Sequence, residues 1–207
     1  MKPFYSIVAA AVLAGSALSL SGCLPLAATG MVAGALSASD RRSLGAQTED
    51  TMIEFKASSQ LRDAIKFPGG ISATSYNRRV LLTGQVGSED DKRMAERVIA
   101  KIDNVVKVEN ALTVAGQPAL TASASDAAVT ASVKTALLEN SETKAHAVKV
   151  VTESGVVYLM GIASRSEADR ASQVASRVRG VQKVVAVFEI LSDEEIARIT
   201  RSTGSSK

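Results

Sequence analysis

Val80-Leu81-Leu82-Thr83-Gly84 and Val157-Tyr158-Leu159-Met160-Gly161 are two renderings of one pattern, offset by 77 residues. Each is an apolar run of strand length that stops at a glycine. A second pair follows at an offset of 76: Asn104-Val105-Val106-Lys107-Val108 and Gly180-Val181-Gln182-Lys183-Val184. Upstream, Ile53, Ala57 and Leu61 fall opposite Val129, Val133 and Leu137, again at 76. One residue is therefore gained and lost in loops, and the chain holds two copies of one unit.

Within each copy the pattern predicts helix, strand, strand, helix, strand. Ile53, Ala57, Leu61 and Ala64 repeat at the 3.6-residue period, as do Val129, Val133, Ala136 and Leu137. Asp126 is placed to cap the helix of the second copy. Strands are predicted at 71–76, 80–86, 147–152 and 156–162, with Asn77-Arg78 and Ser154-Gly155 as hairpin turns. The second helices open on Ser88, followed by Glu89, Asp90 and Asp91, and on the capping-box pair Ser164 and Glu167. Last strands run over 107–114 and 183–191. The fold class is α+β, with two helices on one face of a three-stranded sheet in each copy.

The chain start follows other rules. Lys2 precedes an uncharged apolar stretch over 7–20, too short to span a bilayer and built like a secretory signal. Leu20-Ser21-Gly22-Cys23 resembles the bacterial lipobox, which implies an N-acyl diacylglycerol on Cys23 and cleavage before it. Leu24 stands where an Asp would imply retention in the inner membrane, so the resemblance points to the outer membrane, facing the periplasm. Cys23 is the one cysteine, so no internal disulfide forms. The divisions are a signal over 1–22, a lipidated tether and linker over 23–50, a domain over 51–115, a linker over 116–125, a second domain over 126–192, and a short helix with a flexible tail over 193–207.

Losing Lys2 with the signal leaves a net charge of +2 from the chain's +3, and no Lys/Arg block marks a nucleic-acid footprint. Aromatics are 3% with no Trp, so stacking platforms for bases or sugars are scarce. No catalytic constellation stands out. His146 is a lone histidine in a predicted loop, without companions for a metal, and Glu89-Asp90-Asp91 reads as a charged helix start. Gly84 and Gly161 open no phosphate loop; close strand–helix packing or a bulge is their expected role.

The strand ending in Leu-x-Gly, an acid-started helix, then Gly-Val-x-x-Val and a closing strand resemble the BON domain. The motif residues are Leu82, Gly84, Val105 and Val108, then Leu159, Gly161, Gly180, Val181 and Val184. Asn104 replaces the usual Gly in the first copy, a residue that tolerates left-handed geometry. With the lipobox, the whole resembles dual-BON lipoproteins of the proteobacterial outer membrane. That resemblance implies tandem BON domains, phospholipid binding, barrier maintenance, and links to envelope stress and cell division; the residues themselves lead to the expectation of no enzyme activity and no cofactor.

The copies differ on the outer face of the first helix. Copy one carries Glu54, Lys56, Ser58, Arg62, Asp63 and Lys66. In copy two, Ala128, Ala131, Thr135 and Leu138 form a second apolar stripe, with Ser132 beside it and Lys134 as its only charge. One reading packs this stripe against the other domain or the linker. Another places it on a membrane, with Lys134 and Lys149 meeting anionic phospholipid headgroups. A third makes it an interface for outer-membrane assembly or division proteins.

Overall fold

The computed structural model describes residues 40–66, 70–115 and 120–204. The signal, Cys23 and the tether lie outside them. The element order is α1 (Leu44–Ala64), β1 (Ile71–Tyr76), β2 (Arg79–Val86), α2 (Glu89–Ile99), β3 (Lys107–Asn110), β4 (Thr113–Val114), α3 (Leu120–Glu139), a 3-10 turn (Ala145–Ala147), β5 (Val148–Glu153), β6 (Val156–Ala163), α4 (Arg165–Ser176), β7 (Lys183–Ile190) and α5 (Asp193–Gly204).

The two copies share one topology. β2 pairs antiparallel with β1 and parallel with β3, and β6 pairs likewise with β5 and β7. The antiparallel pairs are two-residue hairpins. The parallel pairs are joined by a helix, as parallel strands require. The last strand of copy one differs from expectation. It breaks at Ala111-Leu112 into β3 and β4, both on β2 and in continuous register.

Helix starts also differ from the sequence reading. α1 begins at Leu44 and α3 at Leu120, so both reach into stretches read as linkers. Ser43 caps α1 through its hydroxyl, which accepts from the Ala46 amide. The two later caps form as expected. Ser88 accepts from the Asp91 amide, and Ser164 and Glu167 close a reciprocal capping box.

Asp126 does not cap a helix. It lies inside α3, and its carboxylate accepts from the turn amides of Ser154 (2.7 Å) and Gly155 (2.9 Å). Asp50 does the same in copy one, 76 residues earlier, for Asn77 and Arg78, both at 2.8 Å. Those turns need positive φ at both central residues. Asn77, Arg78, Ser154 and Gly155 have φ of 50°, 64°, 50° and 75°. Only one of the four is glycine, so each carboxylate offsets part of the backbone strain of its turn. Asn104 (φ 68°) and Gly180 (φ 94°) adopt the left-handed turn anticipated for them.

Each copy buries its own apolar cluster between helices and sheet. Ile53, Ala57 and Leu61 of α1 and Ala95 and Ile99 of α2 pack on Val80, Leu82 and Val86. In copy two Val129, Val133 and Leu137 of α3 and Ala171 and Ala175 of α4 pack on Val150, Val157 and Leu159. A third cluster, not anticipated, joins the copies. Tyr76 and Leu81 meet Tyr158, Met160 and Ile162, with Ile199 of α5 at its margin. Alternation along a strand puts these residues on the helix-free faces. The helix-free faces of the two sheets therefore meet, α1 with α2 and α3 with α4 form the two outer layers, and α5 borders the seam.

Gly84 and Gly161 sit against the paired neighbouring strand, whereas Gly180 abuts Val129 of α3. A Cβ on Gly84 would lie 2.0 Å from the Gly70 carbonyl oxygen, and Gly84 has φ +112°. A Cβ on Gly161 would lie 2.4 Å from the Ala147 carbonyl oxygen and 3.2 Å from the Phe188 ring. Gly84→Ala is expected to cost about 3 kcal/mol, combining overpacking with a left-handed backbone. Gly161→Ala should cost about 2 kcal/mol, from overpacking alone. Thermal melts of both variants check the order; equal melting for Gly84→Ala and parent would refute the close approach.

Candidate functional site

α3 fastens to its sheet through Val129, Val133 and Leu137, all buried. The stripe opposite stays open. Ala128, Ala131, Ser132, Lys134 and Thr135 are exposed, and Leu138 is 57% exposed. Packing of this stripe against the other domain is thus not what the fold shows. The stripe is also less polar than its composition. The Ser132 hydroxyl donates to the Ala128 carbonyl (3.0 Å) and the Thr135 hydroxyl to the Ala131 carbonyl (3.1 Å). Both hydroxyls fold back onto the helix, leaving mostly carbon outward. Lys134 has no ion-pair partner among the described residues. A flat apolar strip with one free cation suits an interfacial helix.

Lys149 is not brought to this surface. β5 turns Val148 and Val150 toward α3, so Lys149 lies on the helix-free side. There its ammonium meets the Glu54 carboxylate at 2.8 Å and the Ser75 carbonyl at 3.2 Å. It joins the copies instead of facing solvent lipid. Glu54 also accepts from the Ser75 amide at 2.8 Å, which fixes it for that role.

Leu138 runs into a cleft of about 360 Å³ at the end of α3. Lys144 and His146 line one wall, Thr200 another, and Asp40 and Arg41 a third. His146 stands exposed in the 3-10 turn before β5. The Thr143 hydroxyl closes the helix end on the Leu137 and Asn140 carbonyls.

Asp40, Arg41 and Arg42 form a strap across both copies. Arg41 makes a forked pair with Glu167, two bonds of 2.7 Å, and a third bond to the Ile162 carbonyl at 2.7 Å. The Arg41 fork holds the Glu167 carboxyl below its ordinary range. Arg42 turns the other way. It bonds Asp40 at 2.7 Å and Asp50 at 2.8 Å, and its guanidinium lies 3.9 Å from the Tyr76 ring centroid. Burial disfavours its charge, but the bonds to Asp40 and Asp50 prevail and raise its pKa. The Tyr76 hydroxyl reaches Asp40 (3.2 Å) and the Ala147 carbonyl of copy two (3.4 Å). Burial first, then the Asp40 charge, pushes that phenol well above its ordinary range. Asn77 and Arg79 add contacts to Glu189 at 2.8 and 3.4 Å.

Sequence reasoning missed the strap and the paired turn clamps. Asp50 and Asp126 share the repeat's own offset, which is the signal that could have exposed them. Among the described residues no helix is long and apolar enough to cross a membrane.

The comparisons agree with this architecture. The BON domain family matches residues 49–116 and 125–192, and the chain belongs to that family as a tandem pair. It is 37% identical over 183 residues to the outer membrane lipoprotein DolP of Haemophilus influenzae, spanning 87% of this chain and 95% of that one. It is also 37% identical over 151 residues to a 21 kDa hemolysin of Actinobacillus pleuropneumoniae, covering 72% and 78% of the two chains. Osmotically-inducible protein Y of Escherichia coli is 32% identical over 151 residues, covering 70% and 75%. The chain is thus a dual-BON lipoprotein of the proteobacterial outer membrane, with a role in the envelope.

Proposed function

We propose that this lipoprotein is non-enzymatic, is acylated on Cys23, and binds anionic phospholipid through the outward face of α3 in its second BON domain. Barrier maintenance, stress response and division would follow from that contact. The observation that carries the reading is the uncovered stripe Ala128, Ala131, Ser132, Thr135 and Leu138, with Lys134 unpaired beside it. The strap adds to it. Asp40 and Arg41 share the cleft with Leu138, so the segment leading from the lipid anchor enters the fold beside this face.

Co-sedimentation of the soluble, lipid-free chain with anionic liposomes tests the reading. Leu138→Glu removes an apolar contact and sets an anion against anionic headgroups, so binding should fall about tenfold. Ala131→Glu should act in the same direction. Neither residue touches the buried stripe, so melting should hold. Binding should also weaken with salt, since exposed charges are screened over about 8 Å at physiological ionic strength. Unchanged binding by Leu138→Glu would reject the lipid reading. The face would then serve a periplasmic adaptor for envelope-assembly or division proteins.

A further inference from the structure

α1 carries a face that the sequence reading treated as charged. The fold separates the residues named there. Glu54 turns to Lys149 and Ser75, and Lys56 lies 3.9 Å from Asp103. The line opposite the buried Ile53, Ala57 and Leu61 is instead Leu44, Thr48, Met52, Phe55 and Ser59. Leu44 is 70% exposed, Met52 47% and Phe55 71%. The Thr48 and neighbouring Thr51 hydroxyls donate to the Leu44 and Gln47 carbonyls, each at 3.0 Å, so here too the hydroxyls fold back.

The line continues into Arg62, and just past the helix end, after the extended Ile65, comes Lys66. Arg62 bonds the Ser58 hydroxyl at 3.4 Å and Lys66 the Arg62 carbonyl at 3.2 Å. Neither has a carboxylate partner within ion-pair distance among the described residues. The acids nearest this line are Asp63, beside Arg62, and Glu49, which is bonded to Asn104. An apolar strip with a large aromatic, ending in free cations, complements an anionic bilayer. Phe55 supplies the aromatic wedge that α3 lacks.

We propose that the α1 face Leu44–Met52–Phe55, with Arg62 and Lys66, is a second surface for anionic lipid. The meeting of the helix-free sheet faces puts α1 and α3 on opposite outer layers, so one bilayer cannot cover both faces at once. The folded chain then joins two lipid surfaces. The joining, though not the α1 contact itself, rests on the α3 reading above.

The test uses the mature chain with Cys23→Ser, mixed with vesicles of phosphatidylglycerol and phosphatidylethanolamine. Co-sedimentation reads binding and light scattering reads vesicle clustering. Sedimentation velocity without vesicles reads the chain's own association. The parent should bind and cluster. Phe55→Glu should still bind but lose clustering about tenfold. Leu138→Glu should keep only the weaker binding that α1 supplies, about tenfold below the parent, and lose clustering, and the double variant should lose binding altogether. Melts should match throughout, because both side chains point to solvent. Clustering by Phe55→Glu equal to the parent's overturns the α1 proposal. So does a parent that binds without clustering and loses that binding in Leu138→Glu alone, which leaves the α3 reading intact. Binding abolished by Phe55→Glu and untouched by Leu138→Glu sinks the α3 reading and keeps the α1 contact. A parent that dimerises without lipid, and a monomeric Phe55→Glu, would assign the stripe to a second copy and overturn the proposal.

Discussion

Asp50→Ala is expected to lower the unfolding free energy by about 4 kcal/mol, because breaking a buried ion pair strands its partner. The residue is 3% exposed, and its carboxylate accepts from the Ser75 hydroxyl at 2.6 Å, the Asn77 and Arg78 amides, and Arg42. Its loss would leave the hairpin turn unclamped and Arg42 half-paired beneath Tyr76. The related change Asp126→Ala should cost only about 1 kcal/mol, since that carboxylate is partly exposed and holds two amides. Chemical denaturation of the three proteins measures the difference. Equal losses would mean that burial of the Asp50 network contributes nothing beyond the turn itself.

The same carboxylate makes stability depend on pH. Burial would raise the Asp50 pKa, but its bonds to Ser75, Arg78, Arg42 and Asn77 together lower it. The folded state therefore binds fewer protons at this site than the unfolded chain. Its contribution is fully present above the unfolded carboxylate pKa, about 4, and is lost as pH falls through that value toward the folded one. Glu167 behaves alike through Arg41. Glu153 acts oppositely. Burial, and next the Asp126 charge, raise its pKa, so its protonation favours the fold. Denaturation midpoints taken from about pH 7 to about pH 3 should fall more steeply for the parent than for Asp50→Asn. Parallel curves would show that Asp50 is not linked to folding.

Cys23→Ala is expected to abolish acylation and cleavage by the lipoprotein route. Each buried methylene is worth about 0.8 kcal/mol, so two or three acyl chains make release negligible, and losing them changes the mode of attachment. Intact mass of the purified mature parent should show the lipid on an N-terminal Cys23. The variant should appear as the unacylated precursor with its apolar 7–20 segment still attached, at the mass of the uncut chain. An unmodified Cys23 in the parent, or a variant that is still acylated or still cut before position 23, would contradict the assignment.

Much of this fold is legible in the sequence because its signals are local. The hairpin turns, the Ser88 and Ser164 caps and the left-handed Asn104 each depend on a few neighbouring residues. The clamps are not local. Asp126 reads as a helix cap because the same side chain serves either purpose, and only the hairpin 28 residues on decides between them. The helix-free faces were hidden for a different reason. Val156–Ala163 is apolar at every position, the mark of a strand buried on both sides. A search for one apolar stripe per helix leaves that second burial unread. Lys149 was misplaced by the same omission, since its side of β5 is where the copies meet. On α1, Met52 and Phe55 are three residues apart and face outward together, a spacing masked by the charges between and beyond them.

The strap sets a working height. Covalent geometry allows at most about 3.6 Å per residue, and Asp40 stands 17 positions after Cys23. With the lipid on Cys23, the leash lets the folded body roam no further than about 60 Å from the leaflet. Because Arg41 grips one copy and Arg42 the other, a pull along that leash loads both together. Lipidated at Cys23, the tandem pair would be moored as a single hull, its range bounded by the 17 positions from Cys23 to Asp40.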